Sequence, residues 1–197
     1  MGKLVYLMGK SSTGKDTIYK ELRKDAKLNL KTVVPYTTRP VRESEREGVE
    51  YHFVDENKFN ELCQKGLVIE DRSYNTCHGL WRYFTVCDRD LDLESGNYIT
   101  IGTLESYSKV VAYFGSKKVI PVLIELDDYT RLTRAINREK AQVSPKYEEL
   151  CRRFLADSSD FSEEKIACAN ITSESRFVND SLEKCVEAIK NYIEEAK

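Results

Sequence analysis

Four short apolar runs recur along the chain, at Leu4–Met8, Thr32–Pro35, Tyr98–Ile101 and Val119–Leu126. None alternates apolar with polar residues, so each predicts a strand covered on both faces. Helical patterns lie between and after them. T-I-Y-K-E-L-R-K follows the first run, and Asp127-Asp128 caps a predicted helix reaching Arg138, with Leu132, Ala135 and Ile136 on its inner face. Ser144-Pro145 supplies a cap and first turn for a helix ending near Asp157, and a last helix from about Asp180 carries Leu182, Val186, Ile189 and Ile193. Strands alternating with helices predict an α/β fold around a parallel, doubly wound sheet. Between Tyr36 and Val86 the texture changes to short, polar, turn-rich strands with one helix around Phe59, Leu62 and Cys63, ended by Gly66. This stretch predicts a subdomain inserted between two core strands.

A chain of 197 residues supports one well-cored domain with small subdomains. The 31 basic and 33 acidic residues leave no global nucleic-acid footprint. Six cysteines, Cys63, Cys77, Cys87, Cys151, Cys168 and Cys185, lack C-x-x-C spacing and have two histidines for company, which predicts reduced thiols of a cytoplasmic protein. No apolar run approaches membrane-spanning length, and no signal-peptide pattern precedes the first strand. The expectation is a soluble protein with no nucleic-acid or membrane partner, of unspecified oligomeric state.

Candidate chemistry sharpens this picture at Gly9-Lys10-Ser11-Ser12-Thr13-Gly14-Lys15, which fits G-x-x-x-x-G-K between a strand and a helix. In such a loop the glycines let successive N–H groups point at phosphate oxygens, the helix presents its positive dipole end, and the lysine adds a full charge. A plain Gly/Ser turn is the bland alternative, but the flanking strand and helix are the context the motif requires. The next residue, usually Ser or Thr for Mg²⁺, is Asp16, followed by Thr17. Both offer the oxygen ligands that this ion prefers.

A second cluster reads P-Y-T-T-R-P-V-R-E-S-E-R-E-G-V-E-Y-H-F from Pro35 to Phe53. Arg39 and Arg42 bracket Pro40, and two guanidinium forks near a stiffened turn suit a phosphate monoester, with Tyr51 close in sequence. A solvated basic loop is the competing reading. The phosphate loop together with T-T-R-P-x-R-x-x-E-x-x-G-x-x-Y-x-F-V resembles the guanylate kinase family of P-loop kinases. Lys65-Gly66-Leu67-Val68-Ile69-Glu70 and Phe177-Val178-Asn179-Asp180 extend the likeness over nearly the whole chain.

The resemblance implies a P-loop NTPase three-layer sandwich, with core 1–35 and 97–197, an NMP-binding insertion 36–86 and a lid at about 138–157. It implies a transferase that moves the γ-phosphoryl of ATP to GMP, with Mg²⁺ held by Asp16 and Thr17. The implied ATP set is Gly9, Lys10, Ser11, Ser12, Thr13, Gly14, Lys15, Asp16, Thr17 and Asn179, the last in a segment near the adenine. Arg39, Arg42 and Tyr51 match the residues that hold the acceptor phosphate, and Glu70 the carboxylate that reads guanine. Tyr83 and Thr85 are matched to further acceptor contacts across a longer hairpin tip, where Trp81 and His78 read as packing and surface. Arg138 and Arg153 match the lid arginines that act, with Lys15 and Arg39, on the transferring phosphoryl group. Arg134 is an alternative contact for adenine, and Arg152 reads as helix surface.

Three positions depart from the family pattern. Pro35 stands where a guanine-reading hydroxyl is expected, Gly102-Thr103-Leu104 replaces D-x-D, and Asp16 follows the loop lysine. Glu105 or Thr103 is a candidate substitute for D-x-D. A related kinase acting on ribose 1,5-bisphosphate and a non-catalytic guanylate-kinase-like binding module therefore stand as alternatives.

Overall fold

The computed structural model describes residues 2–42, 45–76, 79–88 and 91–196. The chain opens with β1 (Leu4–Met8), whose five side chains are all buried because each face has its own helical layer. Leu4, Tyr6 and Met8 point to one layer and Val5 and Leu7 to the other, as the period of two dictates. After the loop comes α1 (Lys15–Lys24), which buries Ile18 and Leu22 against the second layer.

Of the apolar run at Thr32–Pro35 only Thr32 lies in a strand. That strand, β2 (Leu30–Thr32), ends where the run begins, pairs on one side with Asn97–Ile99, and alternates buried, exposed and half-buried as an edge strand does. Past Thr32 the chain leaves the main sheet for a second one, built from β3 (Tyr36–Thr37), β4 (His52–Phe53), β5 (Val68–Thr76) and β6 (Gly79–Val86), in the order β4-β3-β6-β5. The expectation of short strands throughout this segment fails at β5 and β6, which form a long antiparallel hairpin of nine and eight residues. Cys77 and His78, between them, lie outside the described residues. One face of the hairpin buries Phe84 and Val86 against Phe59 and Leu62 of α2 (Glu56–Gln64), capped by Asp55. Cys63, on the same helix, is exposed.

The chain returns to the main sheet with β7 (Asn97–Ile101), α3 (Leu104–Phe114) and β8 (Val119–Glu125). Then follow α4 (Asp128–Lys140), α5 (Tyr147–Asp160), α6 (Glu163–Cys168), β9 (Arg176–Val178) and α7 (Leu182–Glu195). The five strands lie in the order β2-β7-β1-β8-β9, all parallel. Helices α3 and α6 cover one face, α1 and α7 the other, which makes a three-layer sandwich. Val186, Ile189 and Ile193 of α7 are buried, while Leu182 is half-buried.

Two helices differ from the sequence pattern. The α5 helix begins at Tyr147, not Ser144, and its first turn is tied by the Lys146 N–H donating to the buried Glu139 carboxylate. In α4 the buried positions are Arg131, Ala135 and Glu139, whereas Ile136 is exposed. Charged residues occupy this inner stripe because each is bonded there, Glu139 to the start of α5 and Arg131 to the loop after β1. Among the described residues no helix is long and apolar enough to cross a membrane. Cys63, Cys87, Cys151, Cys168 and Cys185 are free thiols, and Cys77 lies outside the described residues.

Candidate active site

Two of the clefts that meet the loop after β1 gather most of the residues singled out in the sequence. The first is lined by Ser12, Gly14, Lys15, Asp16, Thr17, Arg134, Arg138 and Asn179, among others, with a volume of about 390 Å³. The second, about 740 Å³, runs from Gly9, Ser11 and Lys15 across to Pro35, Tyr51, Glu70, Tyr83 and Thr85 on the hairpin sheet. Lys15 lines both.

Internal bonds hold the loop in shape. Thr13 is buried and donates its hydroxyl to the Lys10 carbonyl at 2.9 Å, and Lys15 Nζ donates to the same carbonyl at 3.0 Å. Burial pulls the Lys15 ammonium below its ordinary pKa, against which the carboxylates of Asp16 and Asp157 act. Gly14 adopts φ +96, and a Cβ there would lie 2.4 Å from Asn179 Nδ2. That amide donates to the Thr13 carbonyl at 2.7 Å, so buried Asn179 braces the loop directly. Asp16 and Thr17, on the first turn of α1, are exposed at the rim of the smaller cleft. A carboxylate and a hydroxyl beside each other form an oxygen donor set that fits Mg²⁺, an ion that keeps several waters and takes few protein ligands.

Sequence reading missed the residues that join this loop to the flanking helices. Arg131 has no exposed side-chain surface; its Nε donates to the Ser11 carbonyl at 3.0 Å and its Nη2 to Asp157 at 3.0 Å. Asp157 in turn accepts from the Ser11 N–H at 2.7 Å, and Nη1 of Arg131 pairs with Asp128. The guanidinium also stacks over Phe154, 4.9 Å from its ring centre. The signal was the i, i+4, i+8 spacing of Arg131, Ala135 and Glu139, which apolar periodicity passes over.

On the hairpin sheet the alternation of β5 and β6 turns Glu70, Arg72, Tyr74, Trp81, Tyr83 and Thr85 toward the larger cleft. Trp81 is thus a cleft wall, which the reading of tip packing did not anticipate. Glu70 is buried and its Oε1 accepts from the Thr85 hydroxyl at 2.8 Å. Tyr51 meets Tyr83 edge-on, 5.6 Å between ring centres. The two arginines stand apart from the lining of this cleft. Arg39 is buried behind Tyr51, its guanidinium 5.2 Å from the ring centre, and its fork grips Glu45 with two bonds of 2.7 Å. Glu45 is thereby held far below the ordinary carboxylate range, to about 2. The Arg42 side chain is exposed, and its backbone N–H also donates to Glu45, at 2.9 Å.

Arg138 and Arg153 both line a small cavity with Ser11, Ser12 and Arg131. Arg153 pairs with Glu149 at 3.2 Å, and exposed Arg152 pairs with the same carboxylate at 2.7 Å. Arg134 sits in the smaller cleft beside Gly14. At the position of the missing D-x-D, Thr103 caps α3 through the Ser106 N–H, while exposed Glu105 pairs with Lys109. Gly102 is filled by its neighbour, since a Cβ there would lie 1.9 Å from the Tyr6 hydroxyl.

A guanylate kinase of Mycoplasma mobile is 30% identical over 202 residues, covering 98% of this chain and 92% of that protein. This chain belongs to the guanylate kinase family. The family's model, described as guanylate kinase, matches residues 1–79, where the loop and the Arg39–Tyr51 cluster lie. A guanylate kinase of Porphyromonas gingivalis is 27% identical, covering 98% of this chain and 97% of its own. The crystal structure of guanylate kinase from Anaplasma phagocytophilum superposes with a TM-score of 0.59 at 20% identity, over 98% of this chain and 85% of that one, and so shares the fold. The shared fold is an α/β sandwich around a parallel five-stranded sheet.

Proposed function

We propose that this chain catalyses ATP-dependent phosphorylation of GMP, yielding ADP and GDP. What supports the reading above all is that Lys15 and Glu70, the phosphate-side cation and the base-side carboxylate, line one continuous cleft. ATP phosphates lie on the loop N–H groups and Lys15, with Asn179 bracing the loop near the adenine. Asp16 and Thr17 would hold Mg²⁺, which, bound with ATP, neutralises phosphate charge. Residues 36–86 form the acceptor-binding insertion. There Tyr51 and Tyr83 hold the acceptor phosphate with the exposed fork of Arg42 and with Arg39, whose fork exchanges Glu45 for the phosphate. Glu70 and Thr85 read the base. The lid, about 138–157, brings Arg138 and Arg153 onto the transferring phosphoryl group and shuts out water, which would compete as nucleophile. No side-chain base is needed, because an acceptor phosphate oxygen is already anionic at neutral pH. The protein is read as soluble and cytoplasmic.

The test is an acceptor screen with ATP and Mg²⁺, following ADP release with GMP, dGMP, AMP and ribose 1,5-bisphosphate. GMP is expected to be the best acceptor. Ribose bisphosphate as the better substrate would overturn the guanine assignment, and no transfer to any acceptor would overturn the enzyme.

A further inference from the structure

Glu70 and Arg72 stand two residues apart on β5, so both face the larger cleft. Glu70 is 4% exposed, and while Oε1 is bonded by Thr85, Oε2 is buried and accepts no hydrogen bond among the described residues. Arg72 Nε lies 3.4 Å from Oε2, close enough for charge attraction but not aligned as a hydrogen bond, and its N–H is likewise buried and unmet. Buried polar atoms are nearly always partnered, so an unmet acceptor beside an unmet donor on one cleft wall calls for a ligand offering the complementary pair.

Guanine offers such a pair along one edge, with N1–H and the 2-amino group as donors and O6 as the adjoining acceptor. Adenine presents the reverse order, an acceptor at N1 beside a 6-amino donor. Resting on the guanine reading above, we propose that Arg72 is a specificity-determining residue whose Nε–H donates to guanine O6 while Glu70 accepts from N1–H and the 2-amino group. The neighbouring groups leave that role to Arg72. Thr85 gives its hydroxyl hydrogen to Glu70, Tyr6 interacts with the Ser106 side chain, and Pro35 and Gly102 bring no side-chain donor to the cleft.

The experiment compares GMP with 6-thio-GMP, whose sulfur is a weak acceptor in place of O6, and with IMP, which keeps O6 but lacks the 2-amino group. In the unaltered protein kcat/KM favours GMP over 6-thio-GMP by about tenfold or more, the scale of a hydrogen bond to a charged donor. Arg72→Met brings that ratio close to unity and lowers GMP and IMP in parallel, with KM for ATP unchanged. Arg72→Lys, which keeps charge and stem but not Nε–H, also collapses the ratio, and it serves if the Met variant does not fold. An unchanged GMP to 6-thio-GMP ratio in either folded variant overturns the role of Arg72, even where GMP is the preferred acceptor. Failure of the unaltered protein to prefer GMP over AMP overturns the guanine reading itself.

Discussion

Arg131 and Asp157 hold opposite sides of a single residue. The guanidinium donates to the Ser11 carbonyl at 3.0 Å, the carboxylate accepts from the Ser11 N–H at 2.7 Å, and the two meet each other at 3.0 Å. The loop after β1 is thereby fastened to α4 and α5 at once, the helices on either side of residues 141–146. Replacing Arg131 by Met leaves Asp157 largely buried with half its partners gone. Breaking such a pair lowers unfolding free energy by about 3 kcal/mol. Urea unfolding checks this, and Arg131→Met combined with Asp157→Leu is expected to lose less than Arg131→Met alone.

The Arg39–Glu45 pair makes acid sensitivity predictable. Glu45 titrates at about 2 in the fold instead of its ordinary 4.5, because Arg39 and then the Arg42 N–H favour its charged form. A depressed folded pKa gives stability that is complete above the unfolded value and is lost as pH falls through the folded one. Melting temperatures of the unaltered protein and Glu45→Gln therefore differ by a constant amount above pH ~5 and converge as pH falls toward ~2. Parallel curves across that window would contradict the pairing.

Lys15→Ala is expected to reduce phosphoryl transfer by at least about a thousandfold, since positioning and charge carry most of this chemistry. Its far-ultraviolet circular dichroism should match that of the unaltered protein, because among the described residues the ammonium hydrogen-bonds to the Lys10 carbonyl alone, within the loop. Activity within tenfold of normal would remove Lys15 from the mechanism.

Gly14 and Asn179 are expected to be energetically coupled. Gly14→Ala forces a side chain into φ +96 and against the Asn179 amide, at a cost of about 1–3 kcal/mol. In an Asn179→Ala background the steric share disappears and only backbone strain is left, so the cost falls. Strict additivity in a double-mutant cycle would show that the two do not share this contact.

The central strands were legible because Leu4–Met8, Tyr98–Ile101 and Val119–Leu126 are predominantly apolar runs in an otherwise polar sequence. The run at Thr32–Pro35 misled because apolar texture does not reveal that a strand has a neighbour on one side only, nor that Val33 is buried after the ladder ends. Ile136 misled for the converse reason. A buried arginine and a buried glutamate were excluded from the core by charge, yet each has its partners there. In the candidate site, G-x-x-x-x-G-K and the arginine cluster were visible as motifs. Arg72 and Asp157 were not, because their significance lies in which neighbour each meets in the fold.

The contact between Tyr6 and Gly102 restricts the order in which this cleft can change. A carboxylate at 102, as the family pattern has nearby, must carry a Cβ, and that atom would fall 1.9 Å from the Tyr6 oxygen and 2.5 Å from the ring carbon bearing it. Removing the hydroxyl with Tyr6→Phe still leaves the ring in the way. Only a much smaller residue at position 6 clears the space, so Gly102→Asp made first lands on a blocked path, and the two sites behave as one inherited choice.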